Sequence, residues 1–294
     1  MTEEQKTVTE PQKNTPKHYF DVESSAVKIS SPHDLSAPVL DHRSLKQPLT
    51  HAKNKSLLQK YCCCIYNSKK TDLTLDQLEA FYNLKAECNV PLDYEKQAHN
   101  KLIETLWSAL FHEPMGSQIP NPLWKTFGFQ NIDPRTDFRG GGVISLKIMI
   151  HYAQTCPENI KRMLESKDDF IPSMSSIGIT YFLLKYLHLA DFLIYECDKK
   201  EISSRICLKN FGVFLLNDSE VLYKIHHLLF NDVFDLWNQL KNMRKDRITI
   251  IDYRACVDEM KRKFNSAMER ILYDSFSQFT KEYAKLSNWN GKGV

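Results

Sequence analysis

The chain has 294 residues, of which 42% are hydrophobic, and this is enough to bury the core of one large domain or two small ones. Its 39 basic and 36 acidic residues nearly balance at a net charge of +3, whereas domains that bind nucleic acid usually carry a clear excess of positive charge. We therefore expect a globular, soluble protein and exclude nucleic acid as a partner.

The first 48 residues have the composition of a segment without a core. They hold five of the twelve prolines and no glycine, and their acidic and basic side chains nearly balance. Such a segment buries too little apolar surface to offset the entropy of ordering. We predict a disordered tail over residues 1–48.

No signal peptide and no membrane-spanning helix are expected. The N-terminus lacks an apolar segment, and the most apolar stretch, residues 177–195, is interrupted by Lys185, His188 and Asp191. The expected location is therefore the cytosol.

Residues 49–94 are assigned as N-terminal helices with a basic, cysteine-rich segment. Between residues 51 and 71 there are five lysines and no acidic residue, and this stretch contains Cys62, Cys63 and Cys64. Adjacent cysteines beside lysines resemble an S-acylation site, where an acyl chain and a polybasic patch together give peripheral contact with internal membranes. The alternative is an amphipathic helix that buries some of these cysteines together with Leu57 and Ile65.

The rest of the chain is predicted to be helical. Thr74 and Gln77 have the spacing of a capping box, and Asp93 is the predicted cap of the next helix. Residues 213–290 contain neither proline nor glycine. Apolar residues recur there at helical spacing, in one stripe from Val221 to Leu240 and another from Tyr253 to Phe279. Only residues 248–251 have a strand-like composition, so the predicted fold class is all-α.

The remaining cysteines and the histidines do not indicate a metal site. Cys88, Cys156, Cys197, Cys207 and Cys256 are scattered without a Cys-x-x-Cys pair and are expected to be small buried apolar residues. Of the adjacent pair His226 and His227, one is expected to be packed and one solvated, because neighbouring helical residues point in different directions.

The most informative stretch is residues 124–142. Three of the nine glycines stand at residues 140–142, directly after Arg139. Glycines in such a run permit unusual backbone dihedral angles or the close approach of another molecule. An arginine beside them can reach a phosphate group of a partner.

The same residues resemble the signature of the ELMO-domain family. That signature has a Trp, a Gly-Phe-Gln, a Pro-x-Thr-Asp and a hydrophobic residue followed by Arg-Gly-x-Gly. Here these are Trp124, Gly128, Phe129, Gln130, Pro134, Thr136, Asp137, Phe138, Arg139, Gly140 and Gly142. A weaker resemblance extends over residues 95–285, which we assign as a single helical ELMO-type domain.

The resemblance implies a function. Short members of the family are GTPase-activating proteins for Arf- and Arl-type small GTPases, and the arginine at the position of Arg139 is the proposed catalytic residue, supplied in trans. The chain has no P-loop sequence. The resemblance therefore implies no cofactor and no intrinsic active site in this chain, with GTP and Mg²⁺ bound by the partner GTPase.

The other residues of the signature are expected to support Arg139. Thr136 and Asp137 can bond the loop's own amides, and Gly140 and Gly142 would let the partner's backbone come close. Trp124, Phe129 and Phe138 are expected to anchor the loop in the core, and Gln130 to bond local backbone groups.

Two alternatives stay open. Arg139 could pair with Asp133 or Asp137 and only hold the loop in place. The second alternative concerns the function: the protein is a non-catalytic adaptor or scaffold, in which the same loop and helices only bind a small GTPase or a helical partner.

Overall fold

The computed structural model describes residues 73–112, 120–165, 170–191, 203–244 and 248–286. Within these ranges the regular structure consists of nine α-helices and two 3-10 helices, with no strand, so the predicted all-α class is confirmed. The α-helices are α1 (Leu75–Cys88), α2 (Gln97–Phe111), α3 (Gly142–Thr155), α4 (Pro157–Glu165), α5 (Pro172–Tyr186), α6 (Arg205–Asn217), α7 (Val221–Arg244), α8 (Ile250–Arg270) and α9 (Phe276–Ala284). The 3-10 helices, Pro122–Phe127 and Pro134–Gly140, lie between α2 and α3.

The predicted tail over residues 1–48 and the cysteines at residues 62–64 lie outside the described residues. So does Cys197. Within the described ranges, no helix is both long and apolar enough to cross a membrane.

Side chains cap the N-termini of several helices, and one of the predicted caps is confirmed. The amide of Gln77 donates to Thr74 Oγ1 over 3.2 Å, and the amide of Thr74 donates to Gln77 Oε1 over 3.0 Å, as a capping box requires. The predicted cap at Asp93 is wrong, because α2 begins only at Gln97. The Asp93 carboxylate instead accepts a hydrogen bond from the amide of Glu95 over 3.0 Å, which forms a turn before the helix.

Residues 248–251, despite their strand-like composition, lead into α8. The Asp252 carboxylate accepts a hydrogen bond from the amide of Thr249 over 2.7 Å, which fixes the first turn of the helix. The same carboxylate pairs with Arg244 at the end of α7 over 2.6 Å. Asp252 therefore joins the end of one helix to the start of the next.

Helix α7 is the central element, and it packs against α3, α5, α6 and α8. Its predicted apolar stripe is confirmed, and Trp237 is fully buried. The prediction that one of His226 and His227 is solvated is wrong, since neighbouring helices cover both faces and the two side chains are 0% and 9% exposed. Burial lowers the pKa of His226 to about 4 and that of His227 to about 3.

The last predicted stripe belongs to two helices. Helix α8 ends at Arg270, where Ile271 is 41% exposed, and Phe279 is buried from the separate helix α9. Sequence reasoning also missed an ion pair between buried Lys263 on α8 and Asp232 on α7. Asp232 is also bound by the hydroxyl of Tyr283 on α9 over 2.7 Å. These polar contacts tie α7, α8 and α9 together.

The described cysteines behave largely as predicted. Cys88, Cys207 and Cys256 are buried, and burial raises the pKa of all three thiols. Cys156 differs, because it caps the C-terminus of α3 and is partly exposed. In the part of the chain that is described, no cluster of His, Cys, Asp or Glu is suited to hold a metal ion.

Candidate functional site

The first 3-10 helix, Pro122–Phe127, shapes the loop before Arg139. The side chain of Asn121 accepts a hydrogen bond from the amide of Leu123 over 3.0 Å and so caps this helix. Gly128 ends it with a φ of +89°, and a Cβ at this position would lie 2.6 Å from Ile171 Cγ2. Gly128 is therefore required both by backbone conformation and by the close approach of Ile171.

Aromatic side chains under the loop hold it to the domain. The ring of Trp124 lies 5.1 Å from that of Trp107 on α2 and 5.3 Å from that of Phe129, and the rings of Phe129 and Phe138 are 5.8 Å apart. Trp124, Phe129 and Phe138 are at most 3% exposed. Their prediction as core anchors is confirmed, and Phe127 joins them.

The second 3-10 helix, Pro134–Gly140, begins with a paired charge. Asp133 caps it by accepting a hydrogen bond from the amide of Arg135 over 3.0 Å. The Arg135 guanidinium pairs with the same carboxylate over 2.6 Å and lies 5.3 Å from the centre of the Tyr94 ring. Burial alone would raise the pKa of Asp133, but the hydrogen bonds from Arg135 outweigh it and hold the pKa below its usual value.

The middle of this helix is tied back to the loop. Asp137 accepts a hydrogen bond from the amide of Gln130 over 2.9 Å, as predicted for a loop-fixing residue, and the Thr136 hydroxyl lies 3.3 Å from the other Asp137 oxygen. Burial raises the pKa of Asp137, and these hydrogen bonds oppose that shift. The prediction for the Gln130 side chain is wrong, because its amide nitrogen lies 3.5 Å from Met174 Sδ on α5 and does not bond local backbone.

The three glycines after Arg139 have three different environments. Gly142 is buried with a φ of +60°, and a Cβ there would lie 2.6 Å from the carbonyl oxygen of Val90. A Cβ at Gly141 would lie 2.3 Å from Ser145 Oγ. The prediction that Gly142 admits a partner's backbone is therefore wrong, since the protein itself fills that space. Gly140 alone of the three is exposed.

Arg139 occupies the last turn of the second 3-10 helix, and its side chain is exposed. Its guanidinium makes no ion pair or hydrogen bond with any residue in the described ranges. The carboxylate of Asp133 is occupied by Arg135, and that of Asp137 by Gln130 and Thr136. The alternative in which Arg139 pairs with one of these two acids is therefore not observed.

The site thus places an exposed cation, which has no ion pair within the described ranges, at the end of a short helix that buried aromatic side chains hold to the domain. Comparison with known families identifies the domain that carries this site. The family model described as ELMO/CED-12 matches residues 82–255, which include both 3-10 helices and more than half of the chain. The chain belongs to the ELMO/CED-12 family. The resemblance based on the signature residues is confirmed.

Several similar proteins are named as ELMO domain-containing proteins. The chain is 26% identical to ELMO domain-containing protein C of Dictyostelium discoideum over 48% of this chain and 23% of that protein. It is 30% identical to ELMO domain-containing protein B of the same organism, over 41% of this chain and 45% of the relative. With ELMO domain-containing protein 2 of Mus musculus it shares 28% identity over 37% of this chain and 46% of the relative.

The matched region spans less than half the length of each of these curated relatives. No solved structure is significantly similar to the chain.

Proposed function

We propose that this ELMO-domain protein is a GTPase-activating protein for an Arf- or Arl-type small GTPase, and that Arg139 acts in trans as its arginine finger. One observation carries this proposal. Arg139 is exposed and unpaired among the described residues, although two carboxylates lie within six residues of it. One of these carboxylates pairs with another arginine, Arg135, and the other accepts a hydrogen bond from the amide of Gln130. Membership of the ELMO/CED-12 family supports the choice of partner.

The chemistry of GTP hydrolysis explains why such an arginine matters. The reaction in a small GTPase is slow because the negative charge that develops on the transferred phosphoryl group is poorly stabilised, and an arginine supplied from outside accelerates it about 10³- to 10⁵-fold. This corresponds to roughly 4 to 7 kcal/mol of transition-state stabilisation. The guanidinium keeps its charge and can bond two phosphate oxygens at once.

The local structure suits this task. The buried ring of Phe138 and the hydrogen bond from Gln130 to Asp137 fix the backbone that carries Arg139. An arginine on a fixed backbone loses less entropy when it enters a partner's site than one on a mobile loop. Since Arg139 has no carboxylate partner among the described residues, no ion pair must be broken first.

The decisive experiment measures GTP hydrolysis by a panel of purified Arf and Arl proteins with wild-type protein and with Arg139→Ala. We expect the wild type to stimulate at least one GTPase and Arg139→Ala to lose about 10³-fold or more of that stimulation. The melting temperature of the variant should match that of the wild type, because Arg139 is exposed and makes no ion pair or hydrogen bond with the described residues.

The alternative function is a non-catalytic adaptor for a small GTPase. It is favoured by the finding that Trp124, Phe138 and Gly142 are explained by folding alone. An adaptor would bind a GTP-loaded GTPase without changing its hydrolysis rate, and Arg139→Ala would leave that rate unchanged. Full stimulation by Arg139→Ala would remove the arginine-finger proposal, whereas binding by the wild type without any stimulation would leave the adaptor.

We also propose a peripheral contact with internal membranes through acylated Cys62, Cys63 and Cys64. The segment of five lysines without an acidic residue supports this, because one acyl chain alone anchors weakly and a basic patch adds about 1 kcal/mol per residue at an anionic surface. Replacing the three cysteines with serine should move the protein from the membrane to the soluble fraction of cells. If the wild type carries no hydroxylamine-labile adduct, the anchor does not exist.

A further inference from the structure

Most glycines in the described ranges lie close against other atoms of the protein itself. Of the six, four would place a Cβ against neighbouring atoms at distances of 2.3 to 3.2 Å. These four are Gly128, Gly141, Gly142 and Gly212. Each is explained by a contact within the chain.

Gly140 and Gly178 have no such explanation. A Cβ at Gly140 would meet only Tyr181 Cδ2 at the ordinary contact distance of 3.9 Å, and a Cβ at Gly178 would meet nothing within 4 Å. Both residues are exposed, and neither has a positive φ. Gly178 also lies in the middle of α5 (Pro172–Tyr186), where glycine is less favourable than alanine because it loses more backbone entropy.

These two glycines lie on one surface, and it adjoins Arg139. Gly140 directly follows Arg139, and a Cβ built on it would lie 3.9 Å from Tyr181 Cδ2. Tyr181 lies three residues after Gly178 and so on the same face of α5. Met174, one turn before Gly178, contacts Gln130 of the loop. The α5 face formed by Met174, Gly178 and Tyr181 is therefore continuous with the loop that carries Arg139.

We infer that this α5 face binds the backbone of the segment that flanks the nucleotide in the GTP-bound partner GTPase. This inference rests on the proposed function and names the surface and the partner segment that accompany Arg139. The Arg139 cation faces the phosphates, and the two glycines keep the adjoining surface flat. Backbone atoms of the partner can then approach α5 more closely than any side chain at Gly178 would allow.

The test compares substitutions at Gly178 with a matched control. Gly178→Ala and Gly178→Gln place a side chain into open space within a helix, so we expect the melting temperature to stay unchanged or, for alanine, to rise by about 1 to 4 °C. Binding to an Arf or Arl protein loaded with a non-hydrolysable GTP analogue should weaken at least about tenfold for Gly178→Gln. Ser266→Gln, at an exposed position on α8, should change neither quantity.

The outcomes separate this inference from the proposed function. If Gly178→Gln binds the GTPase as tightly as the wild type while Arg139→Ala loses stimulation, the α5 surface is wrong and the arginine finger stands. If the wild type binds without stimulating hydrolysis and Gly178→Gln loses that binding, the surface stands and the adaptor function replaces catalysis. If the wild type neither binds nor stimulates any member of the panel, both proposals are overturned.

Discussion

The two ends of the second 3-10 helix carry the same residue type in opposite environments. At the start, Arg135 bonds Asp133 through a 2.6 Å ion pair and lies over the Tyr94 ring. At the end, Arg139 is exposed and has no ion pair in the described structure, and the adjacent Gly140 has room for a Cβ. The first arginine stabilises the turn, and the second is available to a partner.

The difference arises from which acid is within reach. Asp133 stands at the N-cap, where its carboxylate meets both the amide and the side chain of Arg135. Asp137 lies closer to Arg139 in sequence, but its two oxygens face Gln130 and Thr136. The helix thus pairs one of its two arginines with a carboxylate and leaves the other accessible, without an ion pair among the described residues.

The largest expected effect concerns Arg139. We expect Arg139→Lys to lose nearly as much stimulated GTP hydrolysis as Arg139→Ala, because a lysine ammonium lacks the planar fork that meets two phosphate oxygens. Single-turnover hydrolysis by the responsive GTPase measures the loss. A lysine variant that retains full stimulation would show that charge alone suffices and would weaken the contrast between the two arginines.

The second prediction concerns Trp124, one of the buried aromatic residues that hold the loop and its 3-10 helix to the domain. Trp124→Ala should lower the free energy of unfolding by about 3 to 5 kcal/mol, since this buried ring packs under the loop. Trp237→Ala, at an equally buried position on α7, should cost a similar amount and serves as the control. Below both melting temperatures only Trp124→Ala should also reduce GTPase stimulation. Equal stimulation by the two variants would mean that the loop holds its shape without Trp124.

The glycines sharpen the comparison further. Gly142→Ala should cost about 1 to 3 kcal/mol of stability, because the residue has a positive φ and faces the Val90 carbonyl. Gly140→Ala should stay within about 0.5 kcal/mol of the wild type. Chemical denaturation of the two variants measures both values. If the two variants lose equal stability, Gly142 is no more constrained by its neighbours than Gly140, and the contrast between the two glycines is wrong.

A small effect is expected for Arg135→Ala. The pair with Asp133 is partly exposed, so its loss should cost about 1 kcal/mol or less at neutral pH, with GTPase stimulation unchanged. The pKa of Asp133 is lowered in the folded state, so the pair stabilises the fold above the unfolded pKa of about 3.9. Its contribution is lost as the pH falls through the lower folded value. Denaturation at several pH values should therefore show the wild type and the variant converging at the acidic end.

Much of the fold follows from sequence because it depends on local patterns. The Thr74–Gln77 capping box and the buried stripe of α7 involve residues a few positions apart, and both are confirmed. Contacts between distant residues were not foreseeable in this way. His227 is buried because α3 covers it. The buried Lys263 ammonium pairs with Asp232 on α7 and lies over the Tyr283 ring of α9.

The same distinction between local patterns and distant contacts applies to the candidate site. The buried anchors Trp124, Phe129 and Phe138 could be predicted, because large aromatic residues beside turn residues favour the core. The roles of Arg135 and Gly142 could not, since they depend on Tyr94 and Val90, which lie far upstream in the sequence. The role of Arg139 in catalysis stays a prediction from family resemblance.

The Val90 carbonyl has a further consequence, for shortened forms of the protein. It accepts a hydrogen bond from the amide of Val143 over 3.0 Å and fills the space beside Gly142, while the Tyr94 hydroxyl donates to the Arg135 carbonyl over 2.6 Å. A fragment that begins at residue 95 would lack both contacts and would leave the start of α3 and the Arg135 turn without their neighbours. The smallest piece that can present Arg139 in this geometry therefore begins upstream of Val90.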